Sequence, residues 1–323
     1  MSYINTLVDK VYVINLDKDV ERLRTIDTSL RKQGISYQRL QATVGSKVSS
    51  DPRLTQLCNS FCTDGIKGCA LSHHRIWEDA LQNGYSRVLV FEDDALIPDD
   101  FDKKVREVMV SLPESYDVLF LGCQYFCRNE TVIEKVGHTL MGTAPEAVNE
   151  HVQKVSGSLG AHATIYTQVF MKKIIQEPIE THIDVQIQRW INKYDLNAYG
   201  LNPELVSTTD PMTSSNLADK FPPLLNKALH SVYVTDKVSL AWALSENQMK
   251  ILGLNVNLYN ILFFLLALAL PPWLSIVLFA WIAVETGVSK DLWNGFRMFF
   301  FTGLGTTIRV GLGLLQEGLR SRK

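Results

Sequence analysis

Three carboxylates in a row, Glu92-Asp93-Asp94, follow directly on the apolar run Val88-Leu89-Val90-Phe91. Adjacent carboxylates repel one another, and holding them unpaired away from water is costly. A divalent cation removes that cost, and hard oxygen donors suit Mg²⁺ or Mn²⁺. A short Val-rich run bounded by charge reads as a buried parallel strand. Its end then sets the acids at the carboxyl edge of an α/β sheet, where such folds bind ligands. A solvated acidic turn ahead of a helix starting near Asp99 accounts for the triplet equally well at this level.

Three further segments carry chemistry-bearing residues. Asn15-Leu16-Asp17, with Arg22 about one helical turn beyond, combines a helix start with an arginine, which suits an anion; ordinary capping with a surface arginine is the plainer account. In Gly68-Cys69-Ala70-Leu71-Ser72-His73-His74-Arg75-Ile76-Trp77, helical spacing groups Cys69 and Ser72 with His73, and His73 with Trp77. Gly68 and Ala70 permit close backbone approach, and a packed helix with Trp77 in the core explains the same pattern. Ser72 lacks the strand-turn-helix elbow of a hydrolase nucleophile. In Thr181-His182-Ile183-Asp184, Asp184 either favours a helix dipole or, in a cleft, serves as a general base.

The elements that must hold these residues alternate between strand and helix across residues 1–245, the pattern of an α/β fold. Val11–Leu16 reads as the first strand. Asp19 caps a helix through Val20, Leu23, Ile26 and Leu30, closed by Gly34. A second strand fits Tyr37–Ala42, and residues 43–65, rich in Ser, Thr, Asp and Gly, read as a long loop. Gly68–Gln82 reads as a helix, followed by the strand to Phe91, a helix from about Asp99 to Ser111, and a strand Tyr116–Leu121. Two later helices fit Gln168–Gln176 and Ile183–Asn192.

The composition shifts near residue 250, so residues 1–245 and 246–323 read as separate regions. No charged residue lies between Ile251 and Val284, and Pro271-Pro272 divides that window. A span needs about 20 apolar residues, so either one kinked transmembrane helix or a re-entrant hairpin with the prolines at its tip fits. Trp273, Trp281 and Trp293 suit membrane interfaces. Phe296, Phe299, Phe300, Phe301, Leu304 and Ile308, interspersed with Arg297 and Arg309, read as an interfacial amphipathic helix. The basic end, Leu319-Arg320-Ser321-Arg322-Lys323, favours the cytoplasmic side and anionic lipid. Contact with a lipid membrane is therefore expected through residues 251–310.

A formal net charge of -2 offers no electrostatic case for nucleic acid. The start Met-Ser-Tyr-Ile-Asn has no basic segment leading into an apolar core, so no signal peptide is expected. The cysteines are Cys58, Cys62, Cys69, Cys123 and Cys127. An odd count in a long chain does not suggest a disulfide framework, and the spacing is poor for zinc. They are expected as reduced, small apolar residues, with the soluble part in or facing the cytosol.

Taken in order, these segments resemble glycosyltransferase family 25, the lipopolysaccharide and procollagen galactosyltransferase group. Val13-Ile14-Asn15-Leu16-Asp17 with Glu21-Arg22 is similar to the opening motif, and Gly68 to His73 with Trp77 to the central helix motif. Val90 to Ala95 is similar to the acidic motif, and Tyr116 to Gly122 to the strand that follows. Gly160 to Tyr166, and Pro203 with Ser214-Ser215-Asn216, resemble later segments more loosely. The resemblance covers residues 10–216.

It implies a GT-A fold in one nucleotide-sugar-binding domain, a UDP-sugar donor carrying galactose or glucose, and inverting transfer. Glu92, Asp93 and Asp94 would serve the motif that holds Mn²⁺ (or Mg²⁺) against the donor diphosphate, with Asp94 and Glu92 as metal ligands. Asn15, Asp17 and Arg22 would contact the nucleotide, and Ser72 and His73 would line the donor pocket. Asp184 would deprotonate the acceptor, a glycan, glycolipid or protein. The hydrophobic region after residue 250 lies outside the family pattern and implies a membrane-held enzyme. A catalytically silent membrane-bound scaffold or sugar-binding protein is the competing expectation. A metal-dependent phosphodiesterase ranks last, because no paired histidine motif is present.

Overall fold

The computed structural model describes residues 2–123, 127–208, 220–234 and 238–320. Ser214-Ser215-Asn216 and the terminal Ser321–Lys323 lie outside them. The chain forms two compact units, residues 1–210 with 235–237, and residues 211–234 with 238–323. The compositional break near 245 falls inside the second unit.

The first unit is a mixed α/β structure around a central sheet. Its strands are β1 (Lys10–Asn15), β2 (Gln38–Gln41), β3 (Arg87–Glu92), β4 (Ala95–Leu96), β5 (Val118–Phe120), β6 (Glu146–Ala147), β7 (Val152–Lys154), β8 (Ala163–Thr167), β9 (Ala198–Leu201) and β10 (Ser207–Thr208). Eight form one sheet in the order β2-β1-β3-β8-β5-β9-β7-β6, while β4 pairs with β10. β1 runs parallel to β2 and β3. β8 runs antiparallel to both β3 and β5. The register sets Ile14 beside Glu92 and Ala163 beside Phe91. The end of β1, the end of β3 and the beginning of β8 therefore share one sheet edge.

Val88 to Phe91 is wholly buried, as expected of a strand covered on both faces. One face is covered by the helix Asp64–Gln82. Thr63 caps it by accepting from the Ile66 amide at 3.3 Å, and Asp64 favours its first turn. Ile66, Ala70, His73, Trp77 and Ala80 recur at helical spacing and are all buried. Trp77 packs edge-on against Tyr166, Phe170 and Trp190. Each such ring removes roughly 150–250 Å² from water, which fixes the helix firmly on the sheet.

The segment 43–65 is more ordered than its composition suggests. It holds a 3₁₀ turn at Gly45–Lys47 and a helix at Gln56–Phe61. The turn lies directly on the central helix: a Cβ on Gly68 would stand 2.5 Å from the Thr43 carbonyl oxygen.

The cysteine expectation is overturned. Cys58 is bonded to Cys62 and Cys123 to Cys127, leaving Cys69 as the free thiol. Bridges between residues four apart close short local loops, which an odd count over a long chain does not reveal. The part of the cytosolic expectation that rested on reduced thiols loses that support.

In the second unit, strands β11 (Asn247–Ile251) and β12 (Leu254–Asn257) form a hairpin. Asn257 and Asn260 then cap the helix Leu258–Ala269 reciprocally. Pro271-Pro272 separates it from the helix Ser275–Ser289, and a helix Leu292–Arg320 follows. The expected interfacial segment thus lies within one continuous helix of 29 residues. Pro272–Ser289 and Leu292–Glu317 are long and apolar enough to cross a membrane by length and composition. Phe221, Tyr259, Phe263, Ile282 and Met298 form the core of this unit, with Leu225, Leu229 and Leu244 against it. Buried Glu285 accepts from the amides of Leu224 and Leu225, at 2.7 and 3.1 Å, where the helix Pro223–Leu229 begins.

This packing yields a test of where the membrane-associating part starts. Residues 220–234 and 238–245 belong with the apolar helices, so truncation after 245 strands Phe221, Leu225, Leu229 and Leu244. That product is expected to aggregate or stay in the membrane pellet, whereas truncation after 210 releases a soluble first unit. Equal partition of the two truncations on ultracentrifugation would contradict the assignment.

Candidate functional site

At the sheet edge, the acid triplet separates into three roles set by three environments. Asp93 turns toward the β1 end. Its Oδ2 accepts from Asn15 Nδ2 at 2.7 Å, and its Oδ1 pairs with Arg22 at 3.3 Å. Burial raises its pKa, opposed by these two partners. Asn15 in turn accepts from Arg39 Nε at 2.9 Å and donates to the Asp19 carbonyl at 3.0 Å. Asp17 is held by Arg39 and Gln41, with the Arg39 hydrogen bond first in pulling its pKa down. Asn15, Asp17, Arg22 and Asp93 therefore form one continuous polar network.

Glu92 turns toward the central helix. Its Oε1 lies 3.2 Å from His73 Nε2 and 3.8 Å from the Cys69 thiol. Burial pushes its pKa up, but the His73 hydrogen bond and charge, with smaller contributions from His162 and Cys69, leave it below the ordinary value. The backbone of Glu92 donates to the His162 carbonyl at 3.0 Å, which fixes the strand end against β8.

Asp94 has no such support: its Oδ1 is buried without a hydrogen-bond partner. Burial first, then the charges of Glu92 and Asp93, raise its pKa to about 7. A buried carboxylate oxygen that feels the charges of two neighbouring acids and has no hydrogen-bond partner suits a hard divalent cation. Asp94 and one oxygen of Glu92 are the groups that would hold it.

Ser72 and His73 are fully buried. The Ser72 hydroxyl donates to the Gly68 carbonyl at 2.6 Å and accepts from the Thr43 amide at 2.8 Å. It pins the 43–47 segment to the helix where Gly68 allows the approach. His73 stands behind Glu92 and orients it.

Asp184 comes to the same region from another element. It lies in the first turn of the helix Ile183–Tyr194. Its Oδ2 accepts from the Gly160 amide at 3.0 Å and its Oδ1 from the Val185 amide at 2.7 Å. After burial and the Glu92 charge, the charge of Asp184 and then that of Asp94 help to push the Cys69 thiol well above its ordinary pKa. Glu92, Asp94, Asp184 and Cys69 thus form one electrostatic neighbourhood. His182, beside Asp184, has a buried Nε2 without a partner, and burial lowers its pKa.

Sequence reasoning gave no role to five residues of this region. Arg39 and Gln41 share a face of β2 at i, i+2 spacing, a signal that was available once β2 is placed beside β1. Cys69 was placed on the face of His73 without a role. Gly160 and His162 enter only because β8 inserts antiparallel between β3 and β5, which no local pattern announces.

A family model described as glycosyltransferase family 25 (LPS biosynthesis protein) matches residues 8–187. An inactive glycosyltransferase 25 family member 3 of Mus musculus is 25% identical over 222 residues, covering 62% of this chain and 37% of its own length. The lipooligosaccharide biosynthesis protein lic2B of Haemophilus influenzae is 27% identical over 99 residues, covering 30% of this chain and 37% of its own. The chain thus spans 37% of the length of each of these curated relatives. Among solved structures, the crystal structure of A197 from STIV is 20% identical at a TM-score of 0.33, covering 59% of this chain and 81% of that one. The family match takes in over half of the 323 residues and every residue of the edge network from Asn15 to Asp184, so the chain belongs to glycosyltransferase family 25.

Proposed function

We propose that the first unit is a GT-A-type, metal-dependent inverting glycosyltransferase that moves galactose or glucose from a UDP-sugar to a glycan, glycolipid or protein acceptor. The observation that carries this reading is Asp94 Oδ1, buried and unpartnered beside Glu92 and Asp93. A Mn²⁺ or Mg²⁺ ion held by Asp94 and Glu92 would supply positive charge for the diphosphate leaving group. The protein's own residues do the rest. The network of Asn15, Asp17, Arg22, Arg39 and Asp93 offers donors and a cation for the nucleotide half of the donor. His73 and Cys69 hold Glu92 from behind. Asp184, with both oxygens held by backbone amides, would take a proton from an acceptor hydroxyl.

Two apolar helices in the second unit support action at a membrane, where a lipid-borne acceptor reaches high local concentration. The two disulfides favour an oxidising compartment for the first unit.

The test is a thermal-shift panel of UDP-, GDP- and CMP-sugars with and without Mn²⁺. Ligands that bind only the folded state raise its melting point. UDP-galactose or UDP-glucose is expected to stabilise the protein in the presence of Mn²⁺ and little in its absence. Equal shifts with and without the ion would refute metal-dependent donor binding. The mouse relative, named as inactive, favours a second reading, a silent relative that binds sugar nucleotide at a membrane. It predicts the same Mn²⁺-dependent shift with no release of UDP.

A further inference from the structure

Cys69, His73 and Glu92 place one sulfur, one nitrogen and one carboxylate oxygen within 4.8 Å of one another. Cys69 and His73 stand four residues apart on one helix face, and Glu92 meets them from the end of β3. The separations from Glu92 Oε1 are 3.2 Å to His73 Nε2 and 3.8 Å to Cys69 Sγ. With the metal–ligand lengths of zinc, tetrahedral ligands lie about 3.3 Å apart for nitrogen and oxygen and about 3.6 Å for sulfur and oxygen. The two separations from Glu92 thus already match edges of a zinc tetrahedron, and the third pair lies within 4.8 Å. Cys69 is the chain's free thiol, half-buried, while His73 is fully buried and so held in place.

We infer that Cys69, His73 and Glu92 form a binding site for a soft or borderline divalent ion, Zn²⁺ above all, that competes with a hard ion at Asp94. The three-ligand Cys-His-carboxylate set leaves a fourth position for water. Binding displaces one proton, from the Cys69 thiol to solvent, and moves the imidazole proton from Nε2 to Nδ1. His73 Nδ1 has no hydrogen-bond acceptor, so the second contact that usually strengthens a zinc-bound histidine is missing. Affinity is accordingly about 10- to 100-fold weaker than that of a zinc site in which the histidine has that contact. Because Glu92 belongs to both sets, an ion on Cys69 and His73 withdraws Glu92 from the acid motif. The same edge then discriminates by softness, with sulfur and nitrogen on one side and oxygen on the other.

The site itself stands on geometry. Only the competition rests on the proposed hard-ion role of Asp94. The test uses the full chain in detergent, titrated with Co²⁺ as a spectroscopic probe and then with Zn²⁺. One equivalent of Co²⁺ is expected to give a near-ultraviolet thiolate-to-cobalt charge-transfer band, which Zn²⁺ abolishes. Cys69→Ser is expected to lose the band and weaken Zn²⁺ at least tenfold, with its circular dichroism unchanged. Cys69→Ala serves if the serine variant fails to fold. Asp94→Asn is expected to keep the band while losing the Mn²⁺ thermal shift. Absence of the band in the unaltered chain, or its persistence in Cys69→Ser, overturns the site. A band in the unaltered chain with no Mn²⁺ shift leaves the site standing and removes the hard-ion role of Asp94 instead.

Discussion

Asp94→Asn is expected to stabilise the metal-free protein above neutral pH while cutting sugar transfer roughly a thousandfold. Both effects come from one carboxylate. In the folded chain its pKa stands at about 7, against an ordinary value of 3.8. Between those values the folded state holds a proton that the unfolded state has released. Stability therefore falls as pH rises through that window, and the penalty is complete above pH 7. At full strength it amounts to about 4 kcal/mol, and solvent screening at a partly exposed site reduces it to roughly 2 kcal/mol. Asparagine keeps the shape and removes the charge. Its melting point at pH 8 is expected about 4–8 °C above that of the unaltered chain.

Adding Mn²⁺ reverses the ranking. The ion binds the ionised form, so it stabilises the unaltered chain most at high pH and loses its grip below pH 7. Asp94→Asn gains little from Mn²⁺ at any pH. Differential scanning fluorimetry from pH 5 to pH 8, with and without Mn²⁺, reads all of this. Parallel melting curves for the two proteins across that range would show that Asp94 is not the strained group. Equal UDP release by the two would sink the metal assignment. The outcome bears on function because a fold that keeps three carboxylates together without a cation sacrifices stability, and functional sites are where such strain is retained.

The sequence and the structure agree best where the physics is local. The strand ending in the acids, the central helix with its Trp77 stripe and the proline break at Pro271-Pro272 all follow from periodicity and turn chemistry, which act over a few residues. The apolar second unit is legible for the same reason, although residues 220–234 and 238–245 join it through tertiary packing that composition does not show. The site was legible as a set of residue types and not as a set of contacts. Asp93 was grouped with its neighbours Glu92 and Asp94, yet it faces the other way, toward Asn15 and Arg22. That orientation depends on the register of β1 with β3, which places Ile14 beside Glu92. The family resemblance implied Ser72 as a pocket residue. Its actual neighbours are Gly68 and Thr43, brought together by a close approach that only glycine permits. The two disulfides were missed because spacing alone does not distinguish a four-residue bridge from two buried thiols. Gly160 and His162 stood in a loosely matched segment without a role, because an antiparallel strand inserted among parallel ones does not announce its partners in its own sequence.

Asp184→Asn carries the second large expectation: a fall in kcat of about 10²–10⁴ with donor KM nearly unchanged. The argument separates chemistry from donor binding by geometry. Asp93 and Glu92 belong to networks built from β1 and the central helix, and Asp94 adjoins them; Asp184 belongs to the helix Ile183–Tyr194 and to the Gly160 amide. Removing its charge leaves the acid triplet and the Asn15-Arg22 network intact, so the Mn²⁺-dependent thermal shift with UDP-sugar is expected to persist. The variant also has a structural consequence. Each oxygen of Asp184 accepts from one backbone amide, and asparagine offers one oxygen only. One amide loses its acceptor, at about 1–3 kcal/mol. Activity is therefore to be measured well below the melting point, and the pH profile decides the role. A general base requires the acidic limb of kcat to disappear in Asp184→Asn, leaving a low, flat rate. A residue that merely positions the Gly160 segment would leave the limb in place at reduced height, and that result would move the base to another group.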